Sequence, residues 1–121
     1  MKRRLSEKEE AIMKVLWEHK KAFAKEVREA LPQPLPHIST VSTMLRRLVE
    51  KGFVRAEDFG STHRYAPVVT MKEYTRKFVK PLLAGLFGNS IKNAVTWFAE
   101  QEEISVAELK EITKMIEGRK K

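Results

Sequence analysis

At Gly52 the hydrophobic period of the chain changes, and that change restricts the folds open to it. Before it, residues 38–53 read ISTVSTMLRRLVEKGF, with Val41, Leu45 and Leu48 at helical spacing and Met44 and Val49 widening the apolar stripe. Beyond it, residues 53–59 and 62–68 flank Gly60-Ser61 and read as two strands. Glycine at the first central position of a two-residue loop suits a II′ turn, whose twist matches that of paired strands.

The segments around this junction supply the rest of an architecture. Ser6 and Glu9 form an S-x-x-E capping box, so a helix is expected from there, carrying Ile12, Val15, Leu16 and His19 with Trp17 at its margin. A short helical element spans 24–31, pairing Val27 with Leu31, and Pro32, Pro34 and Pro36 end it. The helix read within residues 38–53 should then be capped by Ser39 or Thr40, with Gly52 just past its end. Three helices followed by a hairpin is the order of a winged helix–turn–helix, with the hairpin as the wing.

From Met71 the helical period returns in Met71, Tyr74, Phe78, Leu82, Leu83, Leu86 and Phe87, with a kink or restart expected at Pro81. Gly88 and Asn89-Ser90 break the stripe, and Ile91, Ala94, Val95 and Phe98 resume it. Ser105 and Glu108 make a second capping box, with Ile104 and Leu109 placed as a hydrophobic staple before Val106, Ile112, Met115 and Ile116. These helices have few inward partners of their own. They either fold back onto the winged domain or form a twofold dimer, and the dimer is the stronger expectation. The fold class is therefore mainly α with a small β-hairpin: a winged-helix domain over 1–70 and a helical dimerisation region over 71–121. Its seam is expected from Tyr74, Phe78, Leu82, Leu86, Val95, Phe98, Leu109, Ile112 and Ile116.

Charge and chemistry point to DNA. The chain holds 24 Lys+Arg against 16 Asp+Glu, a net charge of +8, and both halves are basic; the 118–121 end reads as a solvated tail. The polar face of this helix offers small hydroxyls followed by Arg46-Arg47, which suits a major groove: hydroxyls admit the backbone to base edges and arginines reach phosphates or guanines. Absence of cysteine removes disulfides and thiolate metal sites, and His19, His37 and His63 are scattered without ligand spacing, so no cofactor or metal is expected. No phosphate-binding glycine loop or G-x-S-x-G motif argues for an enzyme. No spanning segment or secretory signal is read, so a cytoplasmic protein is expected. A winged helix that binds protein is the alternative, and a non-specific architectural protein is a third reading.

The proline loop, the STVSTMLRRLVEKGFV stretch, the Gly60 wing and the Arg64-Tyr65-Ala66-Pro67 exit together resemble the penicillinase repressor family, which also includes methicillin-resistance and copper-responsive repressors. The resemblance covers nearly the whole chain. It implies a homodimeric winged-helix repressor on a dyad-symmetric operator, with Thr40, Ser42 and Thr43 facing the groove and Arg47, Lys51 and Arg64 on the backbone. Ser39 and Arg46, on the same helix, complete the expected DNA-binding residues. The copper-responsive branch carries C-terminal cysteines that this chain lacks. In the antibiotic-responsive branch a sensor's metalloprotease pathway cuts an Asn–Phe bond in the dimerisation region. Residues 94–99 resemble that site, but Trp97 precedes Phe98, so these two residues are read either as dimer-core aromatics or as a cleavage position with altered specificity.

Overall fold

The computed structural model describes residues 3–119, so Lys120 and Lys121 of the basic end lie outside the described residues. The elements run α1 (Glu7–His19), β1 (Ala22–Phe23), α2 (Ala24–Ala30), α3 (Ile38–Glu50), β2 (Val54–Phe59) and β3 (Thr62–Pro67). They continue with α4 (Met71–Tyr74), a π-helical stretch (Thr75–Val79), α5 (Lys80–Leu86), α6 (Ile91–Glu100) and α7 (Val106–Arg119). The chain divides into two compact units, 1–78 and 79–121.

Local signals set most of the first unit's boundaries. Ser6 and Glu9 close the capping box of α1, Glu9 N–H donating to Ser6 Oγ at 3.2 Å and Ser6 N–H to Glu9 Oε1 at 3.0 Å. The start of α3 differs from expectation: the helix begins at Ile38, and the cap is His37, whose Nδ1 accepts from the Ser39 N–H at 3.1 Å. An imidazole nitrogen thus does the work expected of a hydroxyl, and Ser39 and Thr40 are left inside the first turn, pointing outward. Gly52 follows at φ +85° and Gly60 at φ +62°, the left-handed region in which a Cβ is strained, so both turns need glycine.

The sheet is three-stranded, in the order β1-β3-β2, all antiparallel. The hairpin pairs Val54 with Pro67 through to Phe59 with Thr62. The third strand, β1, is only two residues long and pairs Ala22 with Tyr65 and Phe23 with Arg64. Two residues carry no period, so nothing in the sequence announces it.

The core of this unit joins Ile12, Met13 and Leu16 of α1, Val27 of α2, Val41, Leu45 and Leu48 of α3, and Phe53. His19, placed on the apolar stripe by spacing, is exposed, and Met13 takes its share of the core instead. Tyr74, at 3% exposure, is part of this unit as well. Its ring packs against Trp17, Phe53 and Phe78, and its hydroxyl donates to Glu10 and accepts the Leu5 N–H at 3.0 Å. Burial pushes the Tyr74 hydroxyl above its usual range, and the Glu10 bond adds to this. Trp17 Nε1 donates to the Val69 carbonyl at 2.9 Å, fastening the exit of the hairpin.

The interruption expected at Pro81 takes the form of the π-helical stretch Thr75–Val79 ahead of it, with Pro81 in the first turn of α5, where its missing N–H costs least. Gly88 and Asn89 both adopt positive φ, and Ser90 caps α6 by accepting the Asn93 N–H at 3.0 Å. Ser105 and Glu108 close the box that opens α7. This helix runs to Arg119, so Gly118 and Arg119 belong to its last turn and not to a tail.

Candidate nucleic-acid interface

Helix α3 is held by its back. Val41, Leu45 and Leu48 are 0% exposed, and each sits about one turn from the next, so the helix cannot roll without opening the core. Arg28 of α2 donates from Nε to the Pro36 carbonyl at 2.6 Å and ties the proline loop into place ahead of it.

With that face buried, the outward face sorts into three rows. At about 100° per residue, Ser39, Thr43 and Glu50 run along its middle. Ser42 and Arg46 form the edge toward the wing, where with Ser61, Thr62, His63 and Tyr65 they line a cleft of about 370 Å³. Thr40 and Arg47 form the opposite edge, and with Ser39, Thr43 and Met44 they border a shallower hollow of about 270 Å³. The structure therefore brings Ser39, Thr40, Ser42, Thr43, Arg46 and Arg47 to one surface while giving them different neighbours.

The two remaining cations expected at DNA are already engaged within the fold. Lys51, just past α3, donates from Nζ to Glu9 Oε2 at 2.6 Å. Burial pushes the Glu9 carboxyl up, but the bonds from Lys51 and Ser6 outweigh it and hold the group below the usual carboxylate range. Arg64 donates from Nη2 to Glu57 Oε2 at 3.1 Å and lies over the Phe59 ring at 4.6 Å, while its Nε is buried without a hydrogen-bond partner.

Glu57 is a hub that sequence reading missed. Besides Arg64 it meets Arg55 at 3.1 Å and Lys21 at 3.2 Å, so three cations from three separate segments converge on one carboxylate. The hydrogen bonds from Arg64 and then Lys21 hold Glu57 below the usual carboxylate range, so it stays an anion. Only an alternation of charges along the hairpin hints at this; the Lys21 contribution depends on β1. At the wing tip His63 Nδ1 lies 2.9 Å from Asp58 Oδ1.

Residues assigned to a seam fall into two groups. Tyr74 is consumed by the core of the first unit, and Phe78 is half-buried beside Phe53 and Tyr74. Leu82, Leu86, Val95, Ile112 and Ile116 are exposed, and Phe98 and Leu109 are half-buried. Trp97 and Phe98 meet edge to face at 5.1 Å, and both approach Phe87, making an aromatic cluster within the second unit. Among the described residues no group of three or more His, Cys, Asp or Glu is placed to hold a metal ion, and no helix is long and apolar enough to cross a membrane.

The penicillinase repressor family model matches residues 5–118, across both units. The penicillinase repressor of Bacillus licheniformis is 26% identical over 117 residues, covering 96% of this chain and 91% of its own. That of Staphylococcus aureus is 25% identical over 103 residues, covering 84% of this chain and 81% of its own. The winged unit, the outward hydroxyl-and-arginine face of α3 and this match over nearly all of its length agree: the chain belongs to the penicillinase repressor family, whose members are DNA-binding regulators of transcription.

Proposed function

We propose that the chain works as a homodimer that occupies a dyad-symmetric operator in the cytoplasm and so blocks transcription, with residues 1–70 as the reader and 71–121 as the dimerisation region. The observation that carries the reader is α3: three fully buried residues fix its back, and a row of small hydroxyls flanked by arginines is left outward. Ser39 and Thr43 approach base edges, while Arg46 and Arg47 stand on either side. Glu50 lies in the same row as Thr43, two turns on, and its charge keeps the C-terminal half of the helix away from phosphates, so the N-terminal half enters the groove.

The observation that supports dimerisation is the second unit, where Ala94 is the one buried residue among those described from 79 onward. Leu86 at 74%, Ile112 at 46%, Met115 at 56% and Ile116 at 48% are apolar area that a second copy would cover. A protein-binding winged helix would more often show aromatic side chains on the outward face of α3, and this one has none. The aromatic cluster of Phe87, Trp97 and Phe98 favours packing over a cleavage position. The Trp97–Phe98 bond lies within α6, which must open before a protease reaches it.

Selection of genomic fragments by the purified protein at ~150 mM salt, followed by sequencing, tests the proposal. Enrichment of a dyad with half-sites about one helical turn apart is expected. If each subunit neutralises about four phosphates, log K against log[salt] should fall with a slope near −7. Recovery of no common sequence, or a slope near −2, overturns it.

A further inference from the structure

We infer that the cleft between α1, the proline loop and α3 is a binding site for a small apolar organic acid, and that filling it opposes the duplex. The site stands on its own geometry and lining; its consequence rests on the DNA-binding role proposed above. The cleft is about 500 Å³, within the range of small-molecule pockets. Two of its lining residues, Ile12 of α1 and Val41 of α3, are 1% and 0% exposed, and Leu31, Leu35 and Met44 continue the apolar surface. One wall is already fixed, because Arg28 donates from Nε to the Pro36 carbonyl at 2.6 Å, so an occupant has little chain to order.

The lining selects the occupant. Pro32, Pro34 and Pro36 have no N–H, so half of the loop residues 31–36 that border the cleft offer no backbone donor. A docked peptide would bury carbonyls that need such donors, whereas a compact hydrocarbon body needs none. The polar side chains that remain are Lys8, Gln33 and Thr40. Lys8 is the one charged residue of the lining, and no carboxylate borders the cleft. Lys8 is exposed and takes part in none of the ion pairs among the described residues, so its ammonium is available to an acid at the rim.

Thr40 and Met44 join this cleft to the reading surface. Both also border the hollow that Ser39, Thr43 and Arg47 complete, on the edge of α3 away from the wing. An anion lodged against Thr40 lies beside the path of the duplex, whose phosphates it repels. Acid and duplex therefore bind against each other, and each weakens the other by the same factor. The proline loop, which at first sight only ends α2, becomes the wall that keeps peptides out and admits the acid.

Titration of full-length protein with 2-naphthoate, and with 2-naphthamide as its neutral counterpart, tests the site through methyl NMR shifts. Naphthoate should give saturable shifts at the methyls of Ile12, Leu35 and Met44. Naphthamide should bind about threefold more weakly, and in Lys8→Gln that difference between the two probes should disappear. Ala11→Phe, which fills the cleft from α1, should bind neither. If that variant fails to fold, Lys8→Gln, altered at an exposed residue, carries the test alone. Saturating naphthoate should lower affinity for the selected operator about fivefold, and operator should lower affinity for naphthoate equally. Shifts that never saturate, shifts confined to Leu86 and Ile112 of the second unit, or equal affinity of the unaltered chain for both probes overturn the site. Saturable binding with operator affinity unchanged overturns its opposition to the duplex. An unaltered chain that binds no duplex without the probe overturns the DNA-binding role, and the methyl shifts then judge the site by themselves.

Discussion

The two compact units of this chain both draw their helices from amphipathic stripes but have opposite economies of burial. Up to Phe78, apolar side chains from three helices and a sheet meet each other, and even a tyrosine and a tryptophan find partners for their polar atoms. From Val79 the same alternation of apolar and polar residues produces helices whose apolar sides stay largely uncovered, with Ala94 at 1% exposure as the exception. Capping is equally good in both: Ser6 with Glu9 and Ser105 with Glu108 close the same box. Caps therefore decide where helices begin, and only packing partners decide whether they hold together.

The contrast can be broken in graded ways. The largest effect is expected at Phe53, fully buried at the meeting of α3, the hairpin and Tyr74. Phe53→Ala should cost the first unit about 3–5 kcal/mol, read as a drop in its unfolding midpoint in denaturant. In the second unit the same kind of loss should be collective. Ile112→Asp, placing a charge on the uncovered side of α7, should halve the mass seen by light scattering to that of the 14.0 kDa chain. An unchanged mass moves the seam elsewhere. Dilution separates the units without mutation: each tenfold should weaken the second by ~1.4 kcal/mol per mole of dimer and leave the first where it was.

A smaller effect is expected from Glu9. Its carboxyl lies below the usual range when folded, so the stability it provides is present above the unfolded carboxylate pKa and lost as pH falls through the folded value. In Glu9→Gln the acid loss of stability of the first unit should shrink, measured as its unfolding midpoint between neutral and acid pH. The smallest is Ser105→Ala, where loss of one cap should cost α7 about 1 kcal/mol and appear as reduced helicity at low protein concentration.

Much of the fold was legible because its signals are local. The proline loop, the II′ hairpin at Gly60-Ser61 and both capping boxes depend on residues within a few positions of one another, and all lie where spacing put them. What spacing misread were the places where a distant partner intervenes. Tyr74 continues the stripe of the C-terminal helices, yet its ring is taken by Trp17 and Phe53, far away in sequence. Lys51 and Arg64, expected at the DNA backbone, also pair with Glu9 and Glu57, which no local spacing signals. His37 is a local exception: it reads as loop, yet its Nδ1 caps α3 by accepting from Ser39, two residues on.

The sequence by itself determined which segments are helix and hairpin, and which face of α3 is apolar, because periodicity, caps and turn residues act through neighbours along the chain. The tertiary structure alone decided which side of α3 meets the wing, and so which arginine shares a cleft with His63. It also decided that Tyr74 belongs to the first unit, since a side chain's partners across the fold are set by the packing of whole elements and leave no mark on local spacing.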